Sequence, residues 1–261
     1  MYTPKPPCFL VDCCNDNCEE SRFCKKVGPV GLSFFDKYRA RILLTATFIT
    51  FICIILSIVS VFATSNNSID VKNTAWTVGY VDGGGKLYVG LNEIYVEFAN
   101  GTTTDMEWVD AGCTRFEDAS NDPGFCNACK IACEDSVNVA IVSLATTIPT
   151  ITTDIQRSTR RGDMNCQKFM GIFTGFLGFF TTIASLSAYA DGCYNNLPDE
   201  LIGHNISYSL GPGFICLLIA TVLKVFDIVV MIFTPVVPYN EDDEDADSIA
   251  KPLSDESMNR L

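Results

Sequence analysis

Residues 42–64 read ILLTATFITFICIILSIVSVFAT, 23 residues without a charge. As a helix this run is about 35 Å long, enough to cross a hydrocarbon core of ~30 Å with some tilt. Lys37, Arg39 and Arg41 precede it, whereas Asn66 and Asn67 follow it. A basic flank on one side only places the N-terminus in the cytoplasm. Every later apolar run must then alternate across the bilayer.

Three further runs meet that requirement. Residues 136–155 are apolar with several threonines and contain Pro149, which a membrane helix tolerates when neighbours satisfy the freed carbonyl. Residues 169–190 carry Gly171, Gly175 and Gly178, a small-residue stripe that lets helices approach closely. Residues 213–237 follow Gly211-Pro212 and hold Lys224 and Asp227. The expected fold is a four-helix transmembrane bundle with a small antiparallel β-sheet in its first extracellular loop.

The segments between the spans agree with this order. Residues 1–41 form a cytoplasmic leader with 7 Lys/Arg against 5 Asp/Glu. It carries Cys8, Cys13, Cys14, Cys18 and Cys24, which read as palmitoylation sites beside a membrane. Their spacing is also loosely that of a metal site, but no metal is assigned. The run 42–64 is too long for a signal-peptide core and is expected to remain as an anchor. The loop 156–168 is basic, with Arg157, Arg160, Arg161 and Lys168, as a cytoplasmic loop should be. Residues 191–212 form a second outer loop, and 238–261 an acidic cytoplasmic tail containing EDDEDAD, a disordered composition.

Residues 65–135 are the large outer loop, with 4 Lys/Arg against 12 Asp/Glu. The acidic balance of this loop and of the tail excludes a nucleic-acid partner. Aromatic and β-branched runs at 74–81 and 86–98 flank Asp82-Gly83-Gly84-Gly85, and Asn100-Gly101 precedes a third run at 102–109. We read a three-stranded meander whose second strand bends at Gly90. So small a sheet needs staples. Cys113, Cys126, Cys129 and Cys133 lie just after it, and Cys193 lies in the other outer loop. Cys113 is expected to pair with Cys126, Cys129 or Cys133; spacing leaves the choice open. Three glycosylation sequons, at Asn66, Asn100 and Asn205, all fall in the segments assigned outside.

Two clusters carry candidate chemistry. Cys126-Asn127-Ala128-Cys129 has the spacing of a thiol-disulfide site, as in four-helix oxidoreductases that place such a motif at a membrane surface. Structural disulfides in an oxidising compartment are the commoner use. Lys224 and Asp227 are one turn apart and are read as an intramembrane ion pair. That pair either fixes helix packing, with Asn138 or Asp154 as neighbours, or lines a pore. Four spans would enclose such a pore only in an oligomer. The sole histidine, His204, is a loop residue, and no hydrolase triad, Walker loop or dinucleotide fingerprint is present.

Four spans, inward termini, a β-rich first loop with cysteines and a short second loop resemble the claudin-like tetraspan superfamily. That group includes claudins, peripheral myelin proteins, calcium-channel gamma subunits and fungal cortical-patch proteins. Trp76, Gly90-Leu91, Trp108, Cys113 and Cys126 stand where the claudin first-loop signature has Trp, Gly-Leu-Trp and two Cys. The chain departs from it at Asn92, in its longer Cys spacing, and at Asn259 near the C-terminus. The resemblance implies a non-enzymatic membrane glycoprotein of the plasma membrane or secretory pathway. It implies adhesion, lateral assembly or an auxiliary role, with lipid and a membrane-protein partner or a second copy as contacts, and no cofactor. The alternatives are the oxidoreductase of Cys126 and Cys129 and, behind it, the oligomeric pore or transporter of Lys224 and Asp227.

Overall fold

The apolar run becomes helix α2, Arg39–Val61, capped by a 3-10 turn at Phe62–Thr64. The computed structural model describes residues 33–64, 68–108, 113, 124–158, 165–201 and 204–236. A short helix α1, Ser33–Lys37, leads into α2. A second short helix, α3 (Ser68–Thr74), precedes the sheet. Three long helices complete the bundle: α4 (Phe125–Ser158), α5 (Asn165–Gly192) and α6 (Pro212–Phe233). The helices α2, α4, α5 and α6 are long and apolar enough to cross a membrane.

Their boundaries differ from the expected spans in an informative way. Helix α4 begins 11 residues before position 136, because Cys126, Cys129 and Cys133 fall at helical spacing on its inner face. The polar residues Lys130, Glu134 and Asp135, which read as loop, simply take other positions on that helix. Likewise the basic loop at 156–168 is helical at both ends, so Arg157 and Lys168 belong to α4 and α5. Pro149 sits inside α4 without ending it.

Helix α2 packs on α4 and α6, and α5 packs on the same two helices. The bundle is polar inside and apolar outside. Thr50, Ser57, Ser136, Ser143, Thr147, Thr182 and Ser185 are buried, whereas Phe48, Phe51, Phe173, Phe180 and Val222 are exposed. Such inversion suits a hydrocarbon solvent, where burial of apolar area gives helices no reason to associate. Gly171 and Gly175 bring α5 against α6: a Cβ there would lie 2.8 Å from Met231 and 3.0 Å from Ile228.

Above one end of the bundle lies an antiparallel sheet of five strands in the order β4-β3-β2-β1-β6. The strands are β1 Thr77–Val81, β2 Gly85–Val89, β3 Glu93–Glu97, β4 Thr103–Glu107 and β6 His204–Leu210. A two-residue β5, Glu200–Leu201, pairs with β6 at the far edge. Two sequence expectations are corrected here. The run 86–98 is not one bent strand but a hairpin, closed by the Gly90 amide donating to the Glu93 carbonyl at 2.9 Å. And the sheet is not confined to the first loop: β6, from the second loop, pairs with β1 in register Thr77↔Leu210 to Val81↔Ile206.

Alternation sets the two faces of the sheet. Leu87, Val89, Ile94, Val96 and Ile206 point inward and join Trp76, Tyr189, Phe214 and the buried cysteines in the main core. Trp76 is fully buried, its indole N–H donating to the Ser60 carbonyl at 3.1 Å and its ring edge-on to Tyr189 and Phe214. On the outer face α3 covers part of the sheet, with Val71 and Ala75 packed on Tyr88, Val78 and Tyr95. Lys72 of α3 also bridges to Glu97 of β3 at 2.8 Å.

Candidate functional site

The cysteines of α4 tie the sheet to the bundle. Cys126 is bonded to Cys113, and Cys129 to Cys193 at the end of α5. All four are buried. Cys133 was expected among the bonded cysteines but is a free thiol. It lies one turn deeper on α4, beneath the β2–β3 turn, with its sulfur 3.9 Å from the Gly90 carbonyl. Cys126 and Cys129 are each bonded elsewhere, so the Cys-x-x-Cys does not close on itself.

Two sequons lie on the sheet. Asn100 is exposed at the β3–β4 turn, its Oδ1 accepting from the Thr102 amide at 2.9 Å and the Thr102 hydroxyl at 2.6 Å. Asn205 is exposed on β6. Asn66 and the leader cysteines Cys8, Cys13, Cys14, Cys18 and Cys24 lie outside the described residues.

The second site is a polar seam inside the bundle. Lys224 does not pair with Asp227. Its ammonium donates to Ser143 Oγ of α4, to Thr182 Oγ1 of α5 at 3.1 Å and to the Gly178 carbonyl at 3.3 Å. Three donors meet three acceptors, so the cation cross-links three helices without a carboxylate. Gly178 makes room for this: a Cβ there would lie 2.8 Å from Thr146 Oγ1. Asp227 instead faces α4 and α2, where Asp154 is its neighbour. Thr50 Oγ1 donates to Asp154 Oδ2 at 3.2 Å and lies beside Asp227. One oxygen of each carboxylate, Oδ1, has no hydrogen-bond partner among the described residues. Asn138 is exposed and takes no part.

Below the seam the basic residues gather. Arg39 donates to the Arg157 carbonyl, and Arg157 donates to Met231 Sδ at 3.0 Å and to the Thr234 carbonyl at 2.9 Å. The seam could have been read from α4 alone. Ser136, Ser143, Thr147, Thr150, Asp154 and Arg157 recur at spacings of three, four or seven, one face of a helix, and all are buried. The partners Thr50, Thr182 and Gly178 carried no such signal, since single hydroxyls and glycines are ordinary in apolar helices.

In the sheet, Glu93 is buried opposite Glu107, and its Oε1 has no partner among the described residues. Burial, then the nearby Asp105 and Glu107, pushes its carboxyl above the usual range. No group of three or more His, Cys, Asp or Glu with metal-binding geometry occurs among the described residues. No protein-family profile matches this sequence, and no curated protein matches it.

Proposed function

We propose that the chain is a non-enzymatic four-span membrane glycoprotein of claudin-like architecture. Its stapled sheet is an interaction surface for adhesion, lateral assembly or support of a partner complex. One observation carries the reading: the pairing of β1 with β6 fuses both outer loops into one platform. The disulfides Cys113–Cys126 and Cys129–Cys193 hold that platform on the bundle. A sheet with a partly uncovered outer face, and a β4 edge that no strand among the described residues pairs, is suited to presenting a surface. Tyr80, Lys86, Ser207 and Ser209 are exposed on that face.

Charge and cysteine usage support an orientation with both termini cytoplasmic. Arg39, Arg41 and Arg157 lie at one end of the bundle, and the disulfides with Asn100 and Asn205 at the other. A plasma or secretory-pathway membrane fits, with glycans on the sheet and acyl chains on the leader cysteines. A photo-crosslinker at Tyr80, in cells or native-like lipid, should give one dominant adduct, either with a second copy or with one membrane protein. A strictly monomeric protein without adducts would overturn the reading.

A further inference from the structure

The two acids of the polar seam form a cluster of their own. Asp154 of α4 and Asp227 of α6 are neighbours inside the bundle, 0% and 4% exposed. Thr50 of α2 lies beside both and donates to Asp154 Oδ2 at 3.2 Å. Oδ1 of each acid has no hydrogen-bond partner among the described residues. Two unsatisfied carboxyl oxygens, buried among helices with apolar outer faces, are costly.

Cations stand nearby, yet none among the described residues comes within ion-pair distance of either acid. Lys224, one turn from Asp227, directs its protons to Ser143, Thr182 and the Gly178 carbonyl. Arg157 of α4 donates to Met231 Sδ and the Thr234 carbonyl, and Arg39 of α2 to the Arg157 carbonyl. Cys53 of α2 faces Lys224 and Asp227, its thiol donating to the Ala220 carbonyl at 3.7 Å. From α5 the ionisable groups at this end are Cys166 and Lys168, both in its first turn. The surroundings thus supply positive charge but no hydrogen-bond donor to the two free oxygens. One proton meets both needs. A protonated carboxyl donates, a carboxylate accepts, and a single hydrogen between them satisfies an oxygen of each. It also halves the negative charge that two adjoining carboxylates would bury.

We propose that Asp154 and Asp227 bind one proton between them, and that the resulting acid–carboxylate hydrogen bond ties α4 to α6. Release of the proton to water leaves two carboxylates facing each other and loosens that contact. The bundle therefore carries a proton-operated latch at the level of Thr50. This goes beyond the role assigned to the sheet, and the two stand or fall separately.

The test is infrared spectroscopy and thermal unfolding of the full chain in nanodiscs. A Glu93→Gln background removes the raised carboxyl of the sheet. At neutral pH that parent should show the carbonyl stretch of one protonated carboxylic acid, and Asp227→Asn should remove it. Between the ordinary carboxylate range and the pH at which the folded chain releases the proton, the unfolding constant should rise about tenfold per pH unit. Asp227→Asn and Asp154→Asn should each fold, because an asparagine amide donates as the protonated acid does, and each should abolish that rise. Their midpoints at neutral pH should equal or exceed the parent's. A parent without a protonated carboxyl, or with an unfolding constant that is flat over that range, would overturn the proposal. So would single Asn variants that fail to fold or melt below the parent at neutral pH, the outcome required if both acids are ionised and balanced by Lys224 and Arg157.

Discussion

Gly211 lies so close to Ala75 that a Cβ on it would stand 2.2 Å from the Ala75 carbonyl oxygen. The contact is made by hydrogen bonds: the Gly211 amide donates to the Trp76 carbonyl at 2.8 Å, and the Gly213 amide to the Ala75 carbonyl at 3.0 Å. Two backbones thus touch where β1 begins and α6 enters the bundle. Gly211→Ala should cost about 3 kcal/mol, because neither backbone can move without breaking the β1–β6 ladder or tilting α6. Gly85→Ala is the control, since its Cβ would meet only ordinary contacts from 3.4 Å. Unfolding midpoints in lipid should separate the two variants by several degrees.

The two disulfides should differ in weight. Cys129–Cys193 spans 64 residues and Cys113–Cys126 spans 13. In the chain-entropy model they contribute about 4 and about 3 kcal/mol respectively. Cys193→Ala should therefore lower the unfolding midpoint in lipid more than Cys113→Ala does. Non-reducing peptide mapping should recover these two pairs, with Cys133 alkylated only after denaturation. Recovery of a Cys126–Cys129 bond would contradict the pairing.

Removing Lys224 should cost less than removing its partners. Without the ammonium, Ser143 and Thr182 still lie 2.6 Å apart, and one of them can donate to the other while the other donates to the Gly178 carbonyl. With Ser143→Ala the ammonium stays buried and loses an acceptor, a cost of about 1–3 kcal/mol. Lys224→Met should be milder than Ser143→Ala, and should lessen the damage when the two are combined. A double-mutant cycle on the unfolding free energy reads this directly.

The sheet should respond to pH through two carboxyls of opposite sign. Glu93 is raised by burial and by Asp105 and Glu107. The fold therefore holds its proton more tightly than the unfolded chain does. The resulting stabilisation is complete below the ordinary glutamate range and is lost as pH rises through the folded value. Glu97 is lowered by its bond to Lys72, so its contribution is present above the ordinary range and lost on acidification. Lys72 and Glu97 are both substantially exposed, which makes that second effect small. Glu93→Gln should raise the midpoint at neutral pH and flatten its rise toward mild acid. An unchanged pH profile would remove Glu93 as its source.

Some of this molecule is written locally. A long uncharged run can only be a helix if it is to lie in hydrocarbon, because no other segment satisfies its own backbone there. So residues 42–64, read alone, anticipated α2 to within three residues at each end. The turn at Gly83 and Gly84 was equally legible, since both adopt positive φ, 107° and 100°, which other residues resist. The close approach implied by Gly171, Gly175 and Gly178 was legible from spacing. What the order of residues left open were choices among chemically similar partners. Four cysteines near one another allow three pairings, and only the convergence of α4 with the end of α5 sends Cys129 to Cys193 and leaves Cys133 alone. The β6 run lies more than a hundred residues from β1, and no local pattern says which edge it completes. Lys224 and Asp227, neighbours on one helix, looked like a pair. The folded bundle separates them, because hydroxyls from α4 and α5 reach the ammonium first and Thr50 with Asp154 meets the carboxylate. Partner choice follows from which groups the packed helices bring within hydrogen-bonding distance, and that distance belongs to the tertiary structure.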